Sequence, residues 1–387
     1  MQVWAIFWHI RLLTDQPIAL GGVGMARIIP IVIFSLVGGT LADRFNRRKV
    51  LFITQSVMAV AALVLALLTF NGQISLWHIY VLTAFQAIAV AFDTPSRQAL
   101  IPNLVPIHDL PNAFSLGSIA FQTGSIAGPA LSGLVIAYLG QPYAYLFNAI
   151  SYLAVLVALV LMGNVEQQAL LGQRVTVSLT SIREGVQFIL GQPIILTTMI
   201  LDFFATFFSS ANTLMPIIAR DILHVGVVEY GWLSAAQSIG AVSAALVISQ
   251  MREIRRQGPI FLGAVVAYGL ATIFFGLTRL VSLAMVALIL VGASDSVSTI
   301  IRNTIRQLQT PDYIRGRMTS INQIFFMGGP QLGEMEAGVV AQLFSTPFAV
   351  VSGGVACILA VWCITQRWPQ IASYNGDEPI RAGVGAS

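Results

Sequence analysis

Runs of roughly 20 apolar residues recur along this chain, and each is long enough to cross about 30 Å of hydrocarbon. A backbone in lipid must satisfy its own N–H and C=O groups, so such runs are expected to fold as α-helices. Composition agrees. Only 9% of residues are charged, 56% are hydrophobic, and the mean hydropathy is +0.81. Soluble domains rarely combine so little charge with so much apolar surface. The chain is therefore expected to be an all-α, multi-pass membrane protein. Its net charge of +4 is small. At this hydropathy the basic residues read as topology signals and not as a nucleic-acid face.

Twelve apolar segments fall near 1–13, 17–41, 50–70, 75–94, 112–139, 143–163, 193–217, 230–249, 259–278, 281–301, 318–344 and 347–367. The first is short for a span, which reads as an incomplete helix or a truncated start. The long connection 164–192 holds an amphipathic stretch, Ser178 to Leu190, expected to lie on the membrane surface. Arg11, Arg220 and Arg279 fall on one side of the membrane and Arg27 lies inside a span. The remaining sixteen of the twenty basic residues fall on the other side. The positive-inside rule makes that side, with the C-terminus, cytoplasmic.

The chain also repeats. At an offset of 205, Arg97, Pro106 and Ser115 fall on Arg302, Pro311 and Ser320, and Gly124, Gly128 and Gly133 fall on Gly329, Gly333 and Gly338. At an offset of 208, Arg44, Arg47 and Arg48 fall on Arg252, Arg255 and Arg256. Two six-helix halves in parallel repeat are expected: 1–163 and 193–367, with a linker at 164–192 and a cytoplasmic tail at 368–387.

The densest charge cluster is Gly39-Thr40-Leu41-Ala42-Asp43-Arg44-Phe45-Asn46-Arg47-Arg48-Lys49, a tight turn between two spans. It resembles the signature loop of the major facilitator superfamily, with Asn46 where a glycine is usual. Gly124-x-x-x-Gly128-Pro129-x-x-x-Gly133 is similar to the glycine-proline motif of that superfamily's antiporters, without its upstream glycine. Together with Asp93-Thr94-Pro95-Ser96-Arg97 and Pro311-Asp312-x-x-Arg315-Gly316-Arg317, the pattern resembles the exporter group that includes enterobactin and macrolide efflux proteins. The resemblance implies a twelve-helix fold of two pseudo-symmetric bundles. It also implies secondary export of a hydrophobic or amphipathic small molecule, of drug or siderophore type, by proton antiport and alternating access.

The residues themselves suggest roles, each with a plainer alternative. Asp43, Arg44, Arg47 and Arg48 could form an ion-pair latch for one access state, or act as topology determinants only. Gly124, Gly128 and Ser132, and Gly329, Gly333 and Ala337, form small-residue stripes that let helices approach closely. A sealing role for Pro129 comes only from the resemblance. Charges inside the membrane are rare and usually functional. Asp202 lies nine residues after Pro193, about 14 Å deep at about 1.5 Å per residue. It reads as a protonatable or substrate-facing acid, or as a structural acid bonded to Thr206 or Asn212. Asp295 shares a face with Arg302. Glu334 and Glu336 point apart. Arg27 is expected to pair with one of those two glutamates, either coupling proton entry to bundle separation or forming a static ion pair. Asp93 and Arg97, at i and i+4, read as a gate or anchor pair. Aromatics such as Trp4, Trp8, Phe203 and Phe207 line an apolar cavity, face lipid or fill helix contacts.

Other chemistry is absent from the sequence. The single lysine, Lys49, is followed by Val50, so there is no phosphate-binding loop of the Walker type. No hydrolase elbow, zincin motif or Cys/His cluster occurs, and the four histidines are scattered. No enzyme activity, cofactor, metal or nucleic-acid partner is expected. The expected partners are a small-molecule substrate, protons and the bilayer, with the protein monomeric in a bacterial inner membrane. Two alternatives stay open: metabolite uptake or facilitation by the same fold, and a non-transporting truncated relative.

Overall fold

A computed structural model describes residues 1–44, 46–163, 179–208, 211–251 and 254–376, without the side chains at 35–44, 179–183 and most of 312–327. The described helices are α1 (Gln2–Leu13), α2 (Pro17–Arg44), α3 (Arg47–Phe70), α4 (Leu76–Leu100), α5 (Leu110–Tyr138), α6 (Gln141–Leu161), α7 (Leu179–Gly191) and α8 (Pro193–Phe208). They continue with α9 (Val227–Ser249), α10 (Gln257–Leu277), α11 (Val281–Gln309), α12 (Asp312–Leu343) and α13 (Thr346–Arg367). No strand occurs among the described residues. Ten helical segments are long and apolar enough to cross a membrane. With the 12-residue α1 and the more polar α12 they make the expected twelve-helix layout of two bundles. The short amphipathic α7 stands outside that count.

Two compact units divide the chain. The first comprises Met1–Asp15, Met25–Val177 and Gly226–Gly231, and the second Gln16–Gly24, Ser178–Val225 and Trp232–Ser387. In the first unit α3 is central, packing on α4 and α6. Its N-terminus is capped by Asn46, whose side-chain oxygen accepts the Lys49 N–H at 3.2 Å. It ends at Asn71-Gly72, where Gly72 turns the chain at φ +64°. One stripe of α3, Ile53, Val60 and Leu67, is 63, 59 and 51% exposed. The opposite face buries Leu51, Thr54, Gln55, Met58 and Leu65. Apolar residues outside and polar residues inside is the arrangement lipid requires.

The second unit uses the same scheme, with α10 packed on α11 and α13. Gly269 of α10 allows the close approach, since a Cβ there would lie 2.9 Å from Gly354 O. The α8 span does not stay regular. It runs on through a 3₁₀ turn at Ala211–Leu214 and a π turn at Ile218–Ile222, around Pro216. α7 packs on α8 and α12, with Ile189 buried beside Ile195, Met199 and Met318.

Part of the segment expected to be a tail is built into the second unit. After α13 a 3₁₀ turn, Pro369–Ser373, carries Ile371 into the core with Leu201, Phe261, Ile305 and Val361. Tyr374 follows it there. Its hydroxyl accepts from Gln309 Nε2 at 3.1 Å, and its carbonyl accepts the Gly258 N–H at 2.9 Å. Gly258 has to be small, because a Cβ there would collide with Ile371 O.

Candidate functional site

The most deeply buried charges lie in the second unit, between α8 and α11. Arg302 Nη1 lies 2.5 Å from Asp202 Oδ1, with the two side chains 3% and 2% exposed. Arg306, one turn further along α11, is also buried. Its Nε donates to Arg302 O at 3.2 Å and its Nη2 bonds Asn303 Oδ1. Asp295, two turns before Arg302, lies within electrostatic range of both Arg302 and Asp202. Two acids thus compete for one arginine, with a second arginine beside them. The Thr206 hydroxyl donates to the backbone carbonyls of Asp202 and Phe203 at 2.8 and 3.2 Å.

The sequence pointed to Asp202 and Asp295 but counted Arg302 and Arg306 among the topology arginines. The available signal was their spacing. An i, i+4 arginine pair two turns after an aspartate, inside an apolar helix, belongs to a helix interior more readily than to a loop.

Glu334, on α12, packs against the first turns of α2 in the same unit. A Cβ on Gly21 would lie 2.9 Å from Glu334 O, and one on Gly24 would lie 2.8 Å from Glu334 Cβ. The two glycines make room for the glutamate. Glu336 is half-buried on another face of α12. Arg27 belongs to the first unit.

In the first unit Asp93 pairs with Arg97 and has two further partners. Asp93 Oδ2 accepts from Arg97 Nη2 and Nε at 2.9 and 3.1 Å. Its Oδ1 accepts from Gln55 Nε2 and Thr54 Oγ1 at 2.7 and 3.0 Å. Asp93 is buried, and its two bonds from Gln55 and Thr54 tie α4 to α3. Nearby, Arg47 Nη1 donates to Ala99 O at 2.8 Å, at the end of α4. Arg48 Nε and Nη2 donate to Leu159 O and Val160 O at 2.6 and 3.1 Å, at the end of α6. A guanidinium on the last carbonyls of a helix satisfies them and complements the negative end of the dipole. These two arginines therefore cap neighbouring helices. The side chains of Asp43 and Arg44 lie outside the described residues.

The glycine stripes divide. Gly133 is a close-approach position, where a Cβ would lie 2.6 Å from Val227 O and 3.0 Å from Gly231 Cα. Gly231 in turn faces Pro129 O at 2.9 Å. In the second unit Gly338 sits against Gly21 in the same way, at 3.1 Å, and Gly329 sits against Thr206 Oγ1. Gly333 is buried, and a Cβ on Gly128 would lie 3.1 Å from the Met1 nitrogen. Gly124 is a correction. It is exposed, and a Cβ there would meet nothing within 4 Å, so it is no packing position among the described residues.

The sequence reading passed over the polar groups of α1 and α6. His9 Nδ1 lies 3.0 Å from the Tyr145 hydroxyl, and both residues are buried. Gln2 Nε2 donates to Gln86 Oε1 at 2.8 Å, and Asn148 Nδ2 donates to Gln2 Oε1 at 2.5 Å. Trp4 and Trp8 pack on Tyr230, whose hydroxyl donates to Trp4 O at 2.9 Å. On α8, Phe203 stacks on Phe207 and Phe204 on Phe208.

Twelve helices in two bundles of one scheme, with paired charges inside a helix bundle, define a major-facilitator-type membrane transporter. Solved structures share the fold. They include the nucleoside transporter NupG (TM-score 0.70, 14% identity, 95% of this chain and 96% of that one) and a D-xylose–proton symporter (TM-score 0.70, 15% identity, 94% and 91%). Residues 1–377 match the family model described as transmembrane secretion effector, and the chain belongs to that family. Similar relatives are named enterobactin exporter EntS. The protein from Escherichia coli O157:H7 (strain EC4115) is 27% identical over 351 residues, 88% of this chain and 83% of the relative. That from Citrobacter koseri is 27% identical over 350 residues, 90% and 83%.

Proposed function

We propose that the protein exports amphipathic small molecules of siderophore or drug type across a bacterial inner membrane, coupled to proton entry. The observation that carries this reading is the buried Asp202–Arg302 pair with Asp295 beside it. A buried charge pair in a membrane bundle is costly and is rarely kept for stability alone. Here a proton arriving on Asp202 would leave Arg302 to Asp295 of its own helix, loosening α8 from α11. That is a small electrostatic change at a packed helix contact, of the kind that biases a two-state transporter. The exporter names of the relatives support the direction and the substrate class. On this reading the basic ends of the helices, with Arg47, Arg48 and the C-terminus, face the cytoplasm by the positive-inside rule, and the working unit is one chain.

The remaining acids fit a secondary role. Glu334, Glu336 and Arg27 are proposed as further proton or substrate groups, and Asp43 and Arg44 as part of a conformational latch. Everted membrane vesicles holding the protein test the reading. Enterobactin should accumulate inside them when a proton gradient is imposed, and an uncoupler should stop it. Accumulation that ignores the uncoupler would contradict proton coupling, and no accumulation would contradict export of this substrate class.

A further inference from the structure

The first unit holds a lane of polar groups, neutral apart from the paired Asp93, that the proton-coupling reading does not use. On α6, Tyr145, Asn148 and Tyr152 recur at i, i+3 and i+7, one stripe of a helix. On α4, Thr83, Gln86, Asp93 and Ser96 share a face in the same way. Gln2 of α1 bridges the two stripes by its bonds to Gln86 and Asn148. Gln86 is ten residues into α4, about 15 Å from its start and so near mid-bilayer.

The lane is only partly satisfied. Thr83 Oγ1, Gln86 Nε2, Gln55 Oε1 and Ser96 Oγ are all buried without a hydrogen-bond partner among the described residues. Thr83 and Ser96 are 5% and 0% exposed. Buried polar groups in a protein are nearly always bonded, and in a membrane bundle the demand is stronger. Four such atoms on one lane point to a partner that arrives from outside the chain. That partner is uncharged in the part that binds, because the lane's carboxylate, Asp93, is already matched by Arg97, Gln55 and Thr54.

We propose that this lane, centred on Thr83 and Gln86, binds the neutral hydrogen-bonding part of the transported molecule: its amide, ester or phenol groups. The inference rests on the export reading and names the part of the substrate that the first unit recognises. Gln86 offers a donor to a carbonyl, and the Thr83 hydroxyl accepts or donates. A purely apolar molecule would leave both unpaired and be rejected.

The probe is iron-free enterobactin, which carries amide, ester and phenol groups, titrated against the full chain in lipid nanodiscs by tryptophan fluorescence. Gln86→Leu should weaken binding at least tenfold. Thr83→Val, which keeps the side-chain shape and guards against a folding defect, should weaken it several-fold. Gln86→Asn should recover part of the loss. Affinities of Gln86→Leu and Thr83→Val within twofold of the wild type would overturn the lane, which would then hold water only. A wild-type protein that binds no enterobactin would overturn both the lane and the proposed substrate class. Tight wild-type binding with weakened variants, but no flux in vesicles, would leave the lane standing and overturn export alone.

Discussion

Asp202 on α8 and Arg302 on α11 meet at 2.5 Å in a setting that leaves each side chain at most 3% exposed. Removing one partner strands a buried charge, at about 3–5 kcal/mol, whereas removing both is close to neutral. Arg302→Gln alone should therefore cut thermal stability and yield sharply in detergent. The double variant Asp202→Asn, Arg302→Gln should recover most of it. A single variant as stable as the wild type would show that the pair is not buried as described.

Arg48 donates to two carbonyls at the end of α6. Arg48→Ala should cost about 1.5–3 kcal/mol, the range for hydrogen bonds that involve a charged group. Arg48→Lys should keep the charge and lose part of the fit, since an ammonium lacks the planar fork. Denaturation followed by helical circular dichroism would rank the three proteins. Equal midpoints would return Arg48 to a topology role only.

Gly133 and Gly124 sit in one motif but should differ in tolerance. Gly133→Val drives a side chain into Val227 O and Gly231, an overpacking of about 1–3 kcal/mol or more. Gly124→Val meets open space and should shift stability by about 0.5 kcal/mol or less. Size-exclusion profiles of the two expressed variants would separate them, and equal behaviour would argue against the α5–α9 contact.

Ile371 lies beyond the last span yet is 1% exposed. Ile371→Ala should destabilise by about 2–5 kcal/mol, as a core truncation does. Tyr374→Phe, which removes the bond from Gln309, should cost about 1 kcal/mol. Thermal unfolding in lipid nanodiscs checks both. A variant ending at Arg367 with wild-type stability would contradict the role of this strap.

The helices were legible because lipid leaves a backbone few choices. Runs such as Val50–Phe70 and Gln141–Leu161 had to be helical once their length and apolarity were known. The repeat was legible because duplicated arginines and glycines keep their spacing. Pairing across helices was not. Asp202 and Arg302 are a hundred residues apart, and the spacing within α11 suggested Asp295 as the partner instead. The polar lane was hidden for a related reason. Asn148 and Tyr152 each look incidental in an apolar helix, and only the approach of Gln2 and Gln86 makes them a set. The buried strap at Pro369–Ser373 was hidden because a 3₁₀ turn carries no periodic apolar signal long enough to read.

The central claim is that the Asp202–Arg302 pair couples protons to export. Its most direct test uses the stable double variant, Asp202→Asn with Arg302→Gln, beside the wild type in proteoliposomes loaded with a pH-sensitive dye. Enterobactin flux and proton flux are followed together. The wild type should move protons against enterobactin in fixed proportion, and the double variant should bind enterobactin but lose the proton signal. Wild-type proton coupling in the double variant would contradict the claim.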